Sequence, residues 1–256
     1  MGMKPFKDRE VYAGLKVAPP VMVRLDGVAF SNVLERCGIQ KPYDEVIRAA
    51  SVSACEALFS SGHFSPLLVY AFSDEFNVYL EHLPFGERVE KLDSVAASLV
   101  ASSFTSALLC APHMGEPLCF DARLVPLKRE EVVDYLVWRQ AECWRNCMNS
   151  YAFYTLVEEG LSHENAAEQL KGMRADAIHE LLFEKGINLA HTPAWQRRGI
   201  VAYWAESPTE GTDTARRGGV HAEQTRVKIE ESPLFSAPEG RTLAERALSV
   251  RDEPVE

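Results

Sequence analysis

No apolar run in this 256-residue chain approaches the roughly 20 residues needed to cross a bilayer. Its first stretch, Met1 to Lys16, is polar and charged with no apolar segment, so the expectation is a chain without a secretory leader that works in the cytoplasm. The six cysteines follow no framework spacing, which excludes a disulfide-stapled fold and a zinc ribbon and fits reduced thiols. Basic residues are short as well: 27 Lys and Arg face 37 Asp and Glu, a net charge of −10. That balance excludes a protein that coats nucleic acid over its whole surface, though not one with a local basic groove. Internal repeats are also missing. What is there is 46% hydrophobic, enough to bury one sizeable core.

Two apolar runs of the chain each end in acid. Residues 21–25 lead into Asp26-Gly27, and residues 67–72 lead into Ser73-Asp74-Glu75. Between them Lys41-Pro42-Tyr43-Asp44 opens a helix, carried by Val46, Ile47, Ala50, Ala54, Ala57 and Leu58 and stopped by Ser60-Ser61-Gly62. A strand at 76–80, a helix from 88 to about 109 and a strand at 119–125 follow. Strand, helix, strand, strand, helix, strand is the split βαβ order of an α+β, ferredoxin-like βαββαβ fold. In that order strands one and three are antiparallel neighbours, so Asp26 comes to lie beside Asp74-Glu75.

After residue 128 the chain reads as helical to 183. One helix enters Trp138-Arg139-Gln140, the pattern resumes over 149–159, and Ser162 caps another helix. Loops at 186–188 and 193–195 precede a short strand at 199–204. The expected division is a lead-in over 1–20, a catalytic unit over 21–127, a helical extension packed on it over 128–205, and a largely disordered tail over 206–256, with one helix possible at 241–250.

Either acidic stretch alone is an ordinary turn, since Asp and Gly dominate turns. Both at one sheet edge make a divalent-metal site. Magnesium takes hard oxygen ligands and fills its other positions with water and phosphate, and a pair of such ions serves phosphoryl transfer. The backbone of the turn after Asp26 is placed to hold a triphosphate.

Arg24-Leu25-Asp26-Gly27, Lys41-Pro42-x-Asp44, Ser73-Asp74-Glu75, Phe120-Asp121-x-Arg123, Trp138-Arg139-Gln140-Ala141 and Gly186-Ile187-Asn188 occur in the order seen in the tRNA-His guanylyltransferase family. The resemblance runs from about Val21 to Trp204, and the length suggests the archaeal or bacterial guanylyltransferase-like branch. It implies a polymerase-type palm with additional C-terminal helices, and nucleotide addition in the 3′–5′ direction at the 5′ end of tRNA. ATP would activate a 5′-monophosphate, the 3′-hydroxyl of GTP would then attack, and two Mg²⁺ ions would serve both transfers.

Carried over by motif, the resemblance makes Asp26, Asp74 and Glu75 the catalytic acids. Asp26, Asp74 and the Gly27 carbonyl would be the metal ligands, with Glu75 supporting or completing the site. Val28, Ala29, Phe30 and Ser31 would form the triphosphate loop. Ser73, Lys41 and Asp44 would contact the nucleotide, and Arg88, Lys91 and Arg123 would bind phosphate. A homotetramer is also implied. This chain departs from the pattern at Val28, where many members carry Arg, and at Ser31, where they carry His. It reads Trp144-Arg145-Asn146-Cys147 where eukaryotic members read His-Ile-Asn-Asn. The last departure favours template-directed 5′-end addition over strict tRNA-His selection.

Trp138 is expected in the core. Asp121 is the expected partner of Arg123, two residues away on one strand face. A palm-domain nucleotidyl cyclase and a non-catalytic tRNA-binding protein are the alternative readings. Trp138-Arg139-Gln140 speaks against the first, and the intact acids speak against the second.

Overall fold

The computed structural model describes residues 6–109, 116–206 and 225–249. In chain order its elements are β1 (Val21–Gly27), α1 (Phe30–Arg36), α2 (Glu45–Ser60), β2 (Leu68–Phe72), β3 (Glu75–Leu80), α3 (Val89–Leu108) and β4 (Phe120–Pro126). There follow α4 (Val132–Glu158), α5 (His163–Leu170), α6 (Ala175–Glu184), α7 (Ala194–Arg198), β5 (Ile200–Glu206), β6 (Thr225–Glu231) and α8 (Pro238–Ser249). The strands form one sheet in the order β4-β1-β3-β2-β5-β6, with every neighbouring pair antiparallel. The first four strands carry the ferredoxin-like order expected from the sequence, and β5 and β6 extend it beyond β2.

Period-two alternation sorts the strands onto two cores. Val21, Val23 and Leu25 of β1, with Phe76 and Val78 of β3, pack against α2 and α3. Met22, Leu68, Tyr70 and Tyr79 face the other way and pack with Val132 and Leu136 of α4 and with Phe235 and Leu248 near the end of the chain. Arg24, Asp26, Glu75 and Asn77 share the parity of that second face. Polar residues therefore sit in the sheet only where α4 can reach them or where the face opens.

Five expectations are corrected. The strand expected at 21–25 runs on through Asp26 and Gly27, because both residues pair with Asp121 and Phe120 of β4. The helical region entered at Trp138 does not pause before 149. α4 is one 27-residue helix, whose apolar rhythm is masked because buried Arg139 and Gln140 occupy inward positions through polar partners. Trp138 is 50% exposed rather than in the core, since Tyr135 and Arg139 take the places that face the sheet. The tail over 206–256 is not disordered throughout, because β6 pairs with β5 from Ile200↔Glu231 to Glu206↔Thr225 and α8 docks behind it. The expected helix at 241–250 begins earlier, at Pro238. Residues 207–224 and 250–256 of that tail lie outside the described residues, as do Cys110 and His113.

Docking of this last segment has a specific key. The Gln140 side chain donates to the Pro233 carbonyl at 2.8 Å and accepts from the Phe235 amide at 2.9 Å. Phe235 is fully buried, edge-on to Tyr70. A Cβ on Gly240 would stand 2.1 Å from the Leu234 carbonyl oxygen, so the start of α8 lies against the backbone before it.

Candidate active site

The β2–β3 hairpin closes through two residues, Ser73 and Asp74, between the paired Phe72 and Glu75. Ser73 takes φ 51°, the left-handed conformation that so short a turn needs at its first position. The turn delivers Asp74 against the end of β1. A Cβ on Gly27 would lie 2.8 Å from both Cβ and Oδ2 of Asp74 and 2.9 Å from the Phe30 Cβ. Only glycine permits that approach, and it places Asp74 beside the strand end that carries Asp26.

Neither carboxylate is neutralised by a hydrogen-bonded base. Burial, then the charge of Glu75, hold Asp26 above the usual carboxylate range. Burial and the charge of Asp26 push Asp74 up to about 6. Two acids this near each other and partly out of water are residues that could hold a cation. Among the described residues no group of three His, Cys, Asp or Glu converges on a metal position, so the donor set is a pair of acids with backbone beside it. A pair leaves coordination positions open for water and phosphate, which fits magnesium rather than a closed structural metal.

Glu75 has a different role. Arg139 grips both its oxygens, Nε to Oε1 at 2.7 Å and Nη2 to Oε2 at 2.6 Å, and Asn77 donates to Oε1 at 2.9 Å. Both oxygens of Glu75 are thus engaged by side chains of α4 and β3, two bonds to Oε1 and one to Oε2. Asn77 in turn accepts from the Tyr135 hydroxyl at 2.7 Å.

Beside Asp74 opens a cavity of about 590 Å³ whose lining includes Ser31, Lys41, Asp44, Ser73, Asn149 and Tyr154. Lys41 lies over the Tyr154 ring, and burial pulls its ammonium below the ordinary lysine value while Glu35 and Asp74 oppose the shift. Asp44 is the N-cap of α2. Its Oδ1 accepts from the Val46 amide and its Oδ2 from the Gln40 amide, so it fixes the loop that carries Lys41. Ala29 takes φ 53° at the start of α1, which has no side-chain cap, and Phe30 and Ser31 line the cavity. Val28 is exposed and hydrogen-bonds to Cys119 through its amide.

Asp26, Gly27, Asp74, Glu75, Ser73, Lys41, Asp44 and the 28–31 turn are thus brought to one end of the sheet. Arg123 stands opposite Arg24 on β4 and pairs with Asp121 at 2.6 Å. Arg88 and Lys91 do not join them. They start α3 at the end where Val21 faces Leu80, roughly 20 Å along the strands from the acids. Arg88 is spent on the Phe85 carbonyl and Glu90. Their i, i+3 spacing reports a shared helix face and not which end of the sheet that face approaches. Sequence reasoning also missed a cavity wall. Asn146, Asn149, Ser150, Phe153 and Tyr154 line it from α4 at i, i+3, i+4, i+7 and i+8, a stripe legible once α4 is read as one helix. Cys143 and Cys147 are buried, their thiols pushed up to about 12 and about 11, and so stay protonated at neutral pH.

An antiparallel palm-like sheet with Asp26 and Asp74 at one end, beside a cavity of about 590 Å³, defines the class of fold. The comparisons narrow it. Residues 3–128 match the tRNAHis guanylyltransferase family (Thg1), and residues 130–237 match the Thg1 C terminal domain. A probable tRNA(His) guanylyltransferase of Drosophila melanogaster is 34% identical over 71% of this chain and 65% of its own length, so this chain spans just under two thirds of that relative. The tRNA(His) guanylyltransferase of Schizosaccharomyces pombe is 30% identical over 74% of each chain. A bacterial tRNA(His) guanylyltransferase (Thg1)-like protein solved in complex with ATP shares the fold with a TM-score of 0.74, covering 97% of this chain and 98% of its own at 23% identity. The chain belongs to the tRNA(His) guanylyltransferase family.

Proposed function

We propose that this chain is a nucleotidyltransferase that extends the 5′ end of tRNA in the 3′–5′ direction, adding GMP from GTP. The observation that carries the reading is Asp74 packed against Gly27, within electrostatic reach of Asp26 and one residue from Ser73, which lines the cavity with Lys41. An oxygen of the RNA 5′-monophosphate attacks the α-phosphorus of ATP, pyrophosphate leaves, and the end is adenylylated. The 3′-hydroxyl of GTP then attacks the 5′ phosphorus and AMP leaves. A 5′-triphosphate end enters at the second step and releases pyrophosphate.

Asp26, Asp74 and the Gly27 carbonyl would hold the divalent metal, two Mg²⁺ in this reading. When bound it polarises the attacking oxygen and neutralises charge on the phosphates. Lys41 meets the triphosphate, aided by the uncapped first turn of α1, and the aromatic and amide side chains of α4 receive the base. Arg139 holds Glu75 so that the acid pair keeps its geometry. Trp144-Arg145-Asn146-Cys147 in place of His-Ile-Asn-Asn supports template-directed 5′-end addition over strict tRNA-His selection. We place the chain in the cytoplasm as a homotetramer. Among the described residues no helix is long and apolar enough to cross a membrane.

The test is incubation with Mg²⁺, ATP and labelled nucleotides, using a 5′-truncated tRNA and a tRNA-His lacking its extra 5′ G. The expected product is RNA longer by one nucleotide at its 5′ end. Asp26→Ala, Asp74→Ala and Gly27→Ala each lower turnover by more than about 100-fold with native-like circular dichroism, because each removes or displaces a metal oxygen. Cyclic nucleotide with no RNA extension, or near-normal turnover in either Asp variant, overturns the assignment.

A further inference from the structure

The face of the sheet flanked by α4 carries a group that the nucleotide cavity does not use. Trp138 is half exposed, yet its indole is held in place. The Arg139 guanidinium stacks 4.5 Å from its ring centre, and Tyr135 meets it edge-on at 5.6 Å. Both supports are themselves fixed, Arg139 by Glu75 and Tyr135 by Asn77. The indole is therefore an exposed aromatic plate held in place one residue from Arg139, the partner of Glu75.

Two arginines stand beside it. Arg24 lies opposite Asn77 on one side and opposite Arg123 on the other, so all three side chains share this face. Like charges directly opposite on paired strands repel. Arg123 has Asp121, but Nε of Arg24 is buried with no hydrogen-bond partner. An anion on the guanidinium ends of the two arginines would relieve the repulsion. Asp26 lies two residues further along the same face of β1, about 7 Å away.

A phosphate with a flat ring attached fits both features, and a nucleotide strand supplies them. In the reading above the mononucleotide takes the cavity on the Lys41 side. This second face is open, with Trp138, Asp121 and Arg123 each about half exposed, and openness suits the end of a duplex. We propose that Trp138 is the platform on which the 5′-terminal base of the tRNA acceptor stem stacks, while Arg24 and Arg123 hold the phosphates next to it. Trp138 is then a positioning residue that aligns the RNA end with the acid pair. The inference rests on the tRNA reading above.

The experiment is single-nucleotide extension of a 5′-triphosphorylated, truncated tRNA by the full chain and its Trp138→Phe, Trp138→Leu and Trp138→Ala variants. A 2-aminopurine at the RNA 5′ terminus serves as the stacking probe. Stacking on one aromatic predicts a rise of about 10- to 100-fold in KM for RNA in the Leu and Ala variants, with KM for GTP unchanged. The Phe variant stays within about threefold of the parent. Quenching of the 2-aminopurine on binding should persist with Phe and vanish with Leu, which keeps apolar bulk and so controls for folding. If the parent extends the RNA and Trp138→Leu matches it in KM and quenching, this inference fails alone. A loss confined to KM for GTP also overturns it, by assigning the plate to the mononucleotide. If the parent extends no RNA, the tRNA reading itself has failed.

Discussion

Single carboxylates in this chain are set apart by what surrounds them. Asp26 and Asp74 were legible because an acid at the end of a buried strand stands out from its neighbours, and the split βαβ order says which two such ends meet. The pairing of Glu75 with Arg139 was not legible, because that partner lies 64 residues away on a helix. Asp93 is a third kind. It sits on α3 with Oδ1 buried and unpartnered, and burial pushes its carboxyl up to about 6. A folded-state value above the unfolded one means that the fold favours the protonated form. Stability is therefore greatest below pH 4 for this group and declines as pH rises through 6. Asn cannot ionise, so Asp93→Asn should raise Tm at pH 7 by about 2–4 °C, a figure kept small because the site is half exposed. The gain should shrink to nothing near pH 4. A thermal-melt series from pH 4 to 8 checks this, and a gain independent of pH would mean that a new hydrogen bond, not relief of charge burial, is responsible.

Among the elements, α4 is the one whose reading decides the site. Its polar centre broke the apparent periodicity, yet each polar residue there has a task. Arg139 binds Glu75, Gln140 binds the Pro233–Phe235 segment, and Asn146, Asn149 and Ser150 line the cavity. Polar residues that satisfy distant partners look, in sequence, like solvent-facing ones. The side chains of Arg139 and Glu75 are 9% and 7% exposed, a burial at which removing one partner strands the other charge. Arg139→Met should cost roughly 3–5 kcal/mol, while Arg139→Met with Glu75→Leu should recover most of that loss. Urea titration of the three proteins measures it. An additive double variant would show that packing, not ion pairing, governs α4 docking. Recovered stability with activity still absent would separate the role of the pair in the fold from its role in holding the acids.

At the scale of the molecule, the sheet does not stop at the palm. The low-complexity stretch after Trp204 dominated the reading of the tail and hid an alternation that is present, with Val227 and Ile229 packed on the α2–α3 core between the exposed Arg226 and Lys228. β6 makes β5 an interior strand, and the segment that follows inserts Phe235, Ala244, Ala247 and Leu248 into the same core that α4 forms with β2 and β3. Burying a Phe or Leu side chain contributes about 1.5–3 kcal/mol, against a net stability on the order of 5–15 kcal/mol for a domain. Ending the chain after Glu206 removes two such large side chains, two alanines, the paired edge of β5 and two of the three backbone partners of the Gln140 amide. The shortened protein should lose cooperative unfolding or aggregate on expression, and it should lose activity with its fold rather than separately. Phe235→Ala isolates one part of this loss and should cost roughly 3–5 kcal/mol with the full chain present. Differential scanning calorimetry of both proteins gives the answer. A sharp transition at the parent temperature in the protein ending at Glu206 would show that the palm and α4 fold without the last two elements, and that the tail is an attachment.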